Sequence, residues 1–206
     1  LHSPYTLSLH DALPIFGNMS DFVGVWLVVS VMASLVYGWD IKNRGISDSI
    51  ATLAGIVYVV LFPYFIVLID ASRYRHFTWL VIIAAFGADI MAYFSGMVFG
   101  KHKMAPNLSP KKTVEGAIGG LVGASIFSAL FGYFFMPNIV VQCAIIGVLG
   151  GAVSMTGDLT ASAFKRQMGI KDYGKIIPGH GGILDRFDSV LFVAPFVYYF
   201  SVFFIR

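Results

Sequence analysis

The polar run from Asp158 to Ser189, DLTASAFKRQMGIKDYGKIIPGHGGILDRFDS, is where this chain could do chemistry. It holds four Asp, three Lys and two Arg, with one His flanked by glycines, between almost wholly apolar segments. Opposite charges packed so densely beside a membrane imply a polar ligand. Carboxylates take hard divalent cations through oxygen, while Lys and Arg hold phosphate oxygens as point charge and planar fork. The predicted ligand is therefore a phosphate compound together with a metal.

If the run starts as a helix, Asp158, Ser162 and Lys165 share one face at offsets of zero, four and seven, with Arg166 beside them. An interfacial helix with solvated charges would carry the same pattern. Beyond Lys171 and Asp172, the segment Pro178-Gly179-His180-Gly181-Gly182 reads as a turn that exposes backbone N–H groups to an anion and presents His180 at its apex. Asp185 and Asp188 lie three apart in the first turn of the last apolar segment, around Arg186. Acids there also suit the helix dipole. With Asp158 they would make a divalent-metal site opposed by cations that grip a triphosphate. Asp158 and Asp185 are accordingly expected to converge on one cation, within about 8 Å of each other.

Asp89 stands apart, twelve residues before Lys101 and so roughly 18 Å from that helix end, deep in the apolar layer. A carboxylate at that depth is functional or lines a polar cavity by default, although a structural hydrogen bond between helices is an equal competitor. Tyr93 and Gly96 follow on its face. The loop GKHKMAPNLSPKKTVEG adds Lys101, His102, Lys103, Lys111, Lys112 and Glu115. It would set topology and touch anionic lipid. Asp89, Lys111 and Lys112 are expected to border the same polar cavity as the 158–189 run.

Composition dictates what positions these residues. With 57% hydrophobic and 12% charged residues and a mean hydropathy of +0.79, the chain matches a polytopic membrane protein and not a soluble globule. The expected fold is an all-α bundle of about six spans, near 21–39, 50–69, 77–99, 116–136, 138–157 and 189–205. Of the fourteen Lys and Arg, eleven fall in the connections 40–49, 100–115 and 158–188. The positive-inside rule then puts those loops in the cytoplasm. Gly116, Gly119, Gly120 and Gly123, and Gly147 with Gly151, read as small-residue contacts between helices. The single Cys143 lies in an apolar run and packs as a small hydrophobe. Residues 1–18, with His2, His10 and Asp11, read as a non-native leader resembling translated adapter sequence and are set aside; residues 19–206 form the membrane domain.

Ser162, Lys165-Arg166, Lys171-Asp172, Pro178-Gly179-His180-Gly181-Gly182, Asp185-Arg186 and Asp188, with AYFSG and SPKKTVEG upstream, resemble the phosphatidate cytidylyltransferase (CDP-diacylglycerol synthase) family in order and spacing. The resemblance runs from about residue 20 to the end. It departs at Ala161, where the family commonly has Glu, and members usually begin with further spans. The resemblance implies transfer of CMP from CTP to phosphatidate with Mg²⁺, a second cation being left open, in a bacterial cytoplasmic membrane with the site facing the cytoplasm. It implies catalytic roles for Asp158, Lys165, Arg166, Asp185 and Arg186, and metal ligation by Asp158, Asp185 and Asp188. Substrate contacts are expected from Asp89, Lys111, Lys112, Ser162, Lys171, Asp172, His180, Gly181 and Gly182. CTP, phosphatidic acid and membrane lipids are the implied partners, with a homodimer as an option and no nucleic acid. The alternatives are another CTP-dependent lipid transferase or kinase, and, ranked lower, a transporter that uses Asp89.

Overall fold

The computed structural model describes residues 23–36, 45–174 and 181–205. The leader expected at 1–18 lies outside them, as do Pro178, Gly179 and His180. Two compact units divide the chain at Val60 and Leu61. In the first, α1 covers Val23–Val36 and α2 covers Ile46–Ile56, where Asp48 in the first turn accepts the Gly45 amide at 2.8 Å. A π-helix at Val57–Leu61 follows.

In the second unit, α3 (Phe62–Ala71), α4 (Phe77–Phe99), α5 (Val114–Phe135), α6 (Val140–Gln167) and α7 (Leu184–Phe204) form an all-α bundle. Among the described residues, five helical runs are long and apolar enough to cross a membrane: Ile46–Ala71, Phe77–Phe99, Val114–Phe135, Pro137–Gln167 and Leu184–Phe204. The sixth expected span is described only as the shorter α1. Every run is apolar on most faces, so each backbone polar group must be met within its own helix, as lipid requires.

Small residues bring the helices together. A Cβ on Gly120 would stand 2.7 Å from the Ala88 carbonyl oxygen, so α4 and α5 touch backbone to backbone as the glycine spacing predicts. Leu80, Val81, Ala84 and Ala85 of α4 meet Cys143 and Ile146 of α6 and Val193, Ala194 and Val197 of α7 in the buried core. Ser125 Oγ donates to the Ala144 carbonyl at 3.2 Å, a polar link between α5 and α6.

The ends of the bundle differ in character. At one end, the Tyr74 hydroxyl donates to the Ile205 carbonyl at 2.7 Å, tying the short 72–76 turn to the close of α7. A single 3₁₀ turn, Pro137–Ile139, joins α5 to α6 as the tight hairpin that Pro137 predicts. The other end carries the long polar connections. Here the structure adds an element the all-α reading lacked: β1 (Lys103–Ala105) and β2 (Ser109–Thr113) pair as an antiparallel hairpin. Thr113 then caps α5, its Oγ1 accepting the Gly116 amide at 3.1 Å. Glu115 accepts the Lys101 and His102 amides at 3.0 and 3.2 Å and pins the hairpin's start to the same turn.

Helix α6 also corrects an expected boundary. It does not stop where hydropathy falls at Asp158 but runs on to Gln167. Gly169, at φ +68°, ends it. The Ile170 amide reaches the Lys165 carbonyl at 2.9 Å and the Gly169 amide the Arg166 carbonyl at 3.1 Å, a Schellman closure that needs glycine in the left-handed region. Likewise α7 starts at Leu184, so Asp185 and Asp188 belong to its opening turns.

Candidate functional site

A cavity of about 720 Å³ opens at the polar end of the bundle. Asp89 and Tyr93 reach it from α4, Lys111 and Lys112 from β2, Asp158 from α6, Asp172 from the following loop and Arg186 from α7. Met97, Met104 and Met155 supply apolar, adaptable wall. Six candidates from distant parts of the sequence, Asp89, Lys111, Lys112, Asp158, Asp172 and Arg186, therefore share one space.

Two ion pairs organise the charges. Lys112 and Asp158 pair across the cavity, each side chain 24% exposed. Behind the wall, Lys165 Nζ donates to Asp185 Oδ1 at 2.8 Å, with side-chain exposures of 11% and 5%. Asp158 and Asp185, expected to converge on a divalent cation, each face a different protein cation, Lys112 and Lys165. Asp158 lines the cavity, whereas Lys165, seven residues on, is drawn to Asp185 and does not line it.

Asp185 is the most heavily engaged acid of the 158–189 run among the described residues. Its Oδ2 accepts the Tyr173 amide at 2.8 Å and the Gly182 amide at 2.9 Å. With about four lone-pair sites per carboxylate, three are used and one on Oδ1 remains. Gly181 has φ +83°, the conformation that brings the next amide onto Asp185. The glycine amide at 182 therefore serves the protein's own carboxylate.

Asp89 accepts from Ser189 Oγ at 3.1 Å, linking α4 to α7. The charges of Asp158 and Lys112 act on Asp89, and those of Asp158, Lys165 and Asp89 act on Asp188, which is buried. Both readings of Asp89 hold at once: it bonds between helices and it lines the polar cavity. Arg166 is exposed and reaches the Ile170 carbonyl at 3.4 Å. Lys171 is exposed and Ser162 half-buried, neither lining the cavity.

Sequence reasoning missed Tyr173, Ser189 and Thr113. Tyr173 donates its hydroxyl to the Ala161 carbonyl at 3.3 Å, and its ring lies under Lys165 Nζ, 5.3 Å from the centroid. Burial, then the charges of Asp185 and Asp188, push its hydroxyl above the ordinary tyrosine range. The Thr113 cap was legible as a Thr just before an apolar run. Tyr173 and Ser189 gave no comparable signal.

Among the described residues, no three His, Cys, Asp or Glu side chains stand together as a metal cage. Mg²⁺ does not require one, since one or two carboxylates, substrate phosphates and water complete its octahedron. The hard oxygen donors of Asp158, at the cavity, and of Asp188 and Asp185 near it are of the type that ion takes.

A family model described as "Cytidylyltransferase family" matches residues 2–204. The chain is similar to a phosphatidate cytidylyltransferase of Bacillus subtilis, 38% identical over 174 residues, covering 82% of this chain and 65% of the relative. One from Haemophilus influenzae is 47% identical over 128 residues, covering 60% and 44%. One from Synechocystis is 49% identical over 129 residues, covering 60% and 43%. The chain thus spans 43% to 65% of the length of these three relatives.

Proposed function

The chain belongs to the cytidylyltransferase family, and from that premise we propose that its polar cavity transfers CMP from CTP to phosphatidate, releasing diphosphate. The observation that carries this reading is the cavity's composition. Lys111, Lys112 and Arg186 stand with Asp89, Asp158 and Asp172 in one space that also has a methionine and tyrosine wall. Cations suit phosphates, carboxylates suit a metal, and the apolar wall suits a lipid.

In this reading an oxygen of the phosphatidate phosphate attacks the α-phosphorus of CTP. A P–O bond forms there, and the bond to the β-phosphate's bridging oxygen breaks with its electron pair leaving on diphosphate. A phosphomonoester's second pKa is about 6, so the nucleophile is already largely ionised and no protein group has to remove a proton. Catalysis then rests on positioning and charge neutralisation. Lys111, Lys112 and Arg186 take charge from the phosphates. A bound Mg²⁺ would supply Lewis-acid polarisation at the α-phosphate and offset charge on diphosphate. Asp158 would hold it with Asp188, and Asp185 through its remaining lone pair. Eleven of the fourteen basic residues fall in the alternating connections 40–49, 100–115 and 158–188, and Lys111, Lys112 and Arg186 from the last two line the cavity, which supports a cytoplasmic opening.

The test is to incubate the purified protein in detergent with phosphatidate, Mg²⁺ and CTP labelled on either the α- or the γ-phosphate. Label from the α position should enter the lipid and label from the γ position should not. The reverse would mark a CTP-dependent lipid kinase. Neither label in lipid would remove the transferase reading.

A further inference from the structure

We infer that Tyr173 is a positioning residue for the transfer proposed above, an inference that rests on that reading of the cavity. Three parts of the residue grip three points. Its amide donates to Asp185 Oδ2 at 2.8 Å, its hydroxyl donates to the Ala161 carbonyl at 3.3 Å, and its ring faces Lys165 Nζ at 5.3 Å. Lys165 in turn donates to Asp185 Oδ1 at 2.8 Å. The contacts join the end of α6, Tyr173 in the segment just after it and the start of α7. Both members of the ion pair are nearly sealed from water, where a cation over an aromatic face counts for most.

The consequence lies one residue away. Asp172 precedes Tyr173, and Arg186 follows Asp185; both neighbours line the cavity while Tyr173 and Asp185 hold the wall behind it. Fixing the clasp fixes the backbone from which Asp172 and Arg186 reach inward. It also fixes the Lys165 ammonium, whose charge acts on Asp188. The hydroxyl donates to a backbone carbonyl and does not line the cavity, so Tyr173 acts through its contacts and not as a base. The ring's face, more than its hydroxyl, does the holding, because the Ala161 bond is long.

The experiment compares Tyr173→Phe with the non-aromatic Tyr173→Leu and Tyr173→Met in the same chain, the second non-aromatic variant covering a failure of the first to fold. One readout is the rate at which an amine-reactive reagent labels Lys165, measured by peptide mass spectrometry against exposed Lys103. The other is kcat and KM for CTP. The Phe variant should stay within about twofold of wild type in both, because it keeps the aromatic face. The non-aromatic variants should label Lys165 about tenfold faster and lose about tenfold in kcat with KM for CTP changed less than about threefold. Unchanged Lys165 protection in the non-aromatic variants would overturn the inference, and so would unchanged kcat with faster labelling or a Phe variant as impaired as the others. If wild type forms no labelled lipid, the reading of the cavity falls and the Lys165 labelling alone decides the clasp.

Discussion

Lys112 and Asp158 meet at the cavity from a strand and a helix, each side chain 24% exposed and the Lys112 ammonium buried. The cost of desolvating the two charges offsets much of their attraction as a structural tie, while they still face whatever enters. Asp158→Asn should lower kcat by about two to three orders of magnitude if the carboxylate organises charge in the transition state, with little change in the thermal midpoint. In a cycle with Lys112→Gln, the two losses should couple by about 1–3 kcal/mol, as expected for touching groups; additive losses would show that they act apart. Tyr173 gives a pH test. Its raised pKa means the folded state keeps a proton that the unfolded chain releases near pH ~10. The associated stability is fully present below that pH and is lost as pH rises through the higher folded value. Tyr173→Phe should therefore flatten the alkaline limb of a melting profile, and identical limbs would contradict the assignment.

Between elements, the close contact of α4 with α5 is the most exposed to test. Gly120→Ala places a Cβ 2.7 Å from the Ala88 carbonyl oxygen and 2.8 Å from the Met155 methyl. It should cost about 1–3 kcal/mol, read as a lower melting midpoint in detergent. Gly55→Ala, whose Cβ would meet nothing within 4 Å, should leave that midpoint unchanged or raise it. Four of the five long runs were legible within a few residues because lipid demands uninterrupted apolar helices. The extension of α6 was legible only as one option, because a hydropathy window ends at the first charges although nothing before Gly169 stops the helix. The hairpin was illegible for a different reason: strands of three and five residues around Pro106 and Pro110 carry no periodicity.

For the whole molecule, the alternation of charge predicts which face meets the cytoplasm. Cys143 is fully buried, so a cysteine introduced elsewhere can be labelled against a silent background. In intact bacterial cells an impermeant maleimide should label Arg73→Cys and spare Asn107→Cys, and inverted vesicles should show the opposite; the same pattern in both preparations would refute the topology. The site was legible in part for the same physical reason. Acids and bases this dense in an apolar chain must converge, and Asp89, Lys112, Asp158, Asp172 and Arg186 do so. Which of them face the cavity and which pair behind it was not, since Lys165 and Asp185 choose partners through contacts across twenty residues that no local spacing reveals.

Whether CTP and phosphatidate occupy that cavity together is tested most directly by an initial-rate matrix over both substrates, with CDP-diacylglycerol as the measured product. Direct attack by the lipid phosphate requires a ternary complex, since Cys143 is buried in α6 and Ser162 does not line the cavity. The account predicts intersecting double-reciprocal lines and no CMP on the protein when lipid is omitted. Parallel lines with a CMP-labelled protein, or no CDP-diacylglycerol with both substrates and Mg²⁺ present, would contradict it.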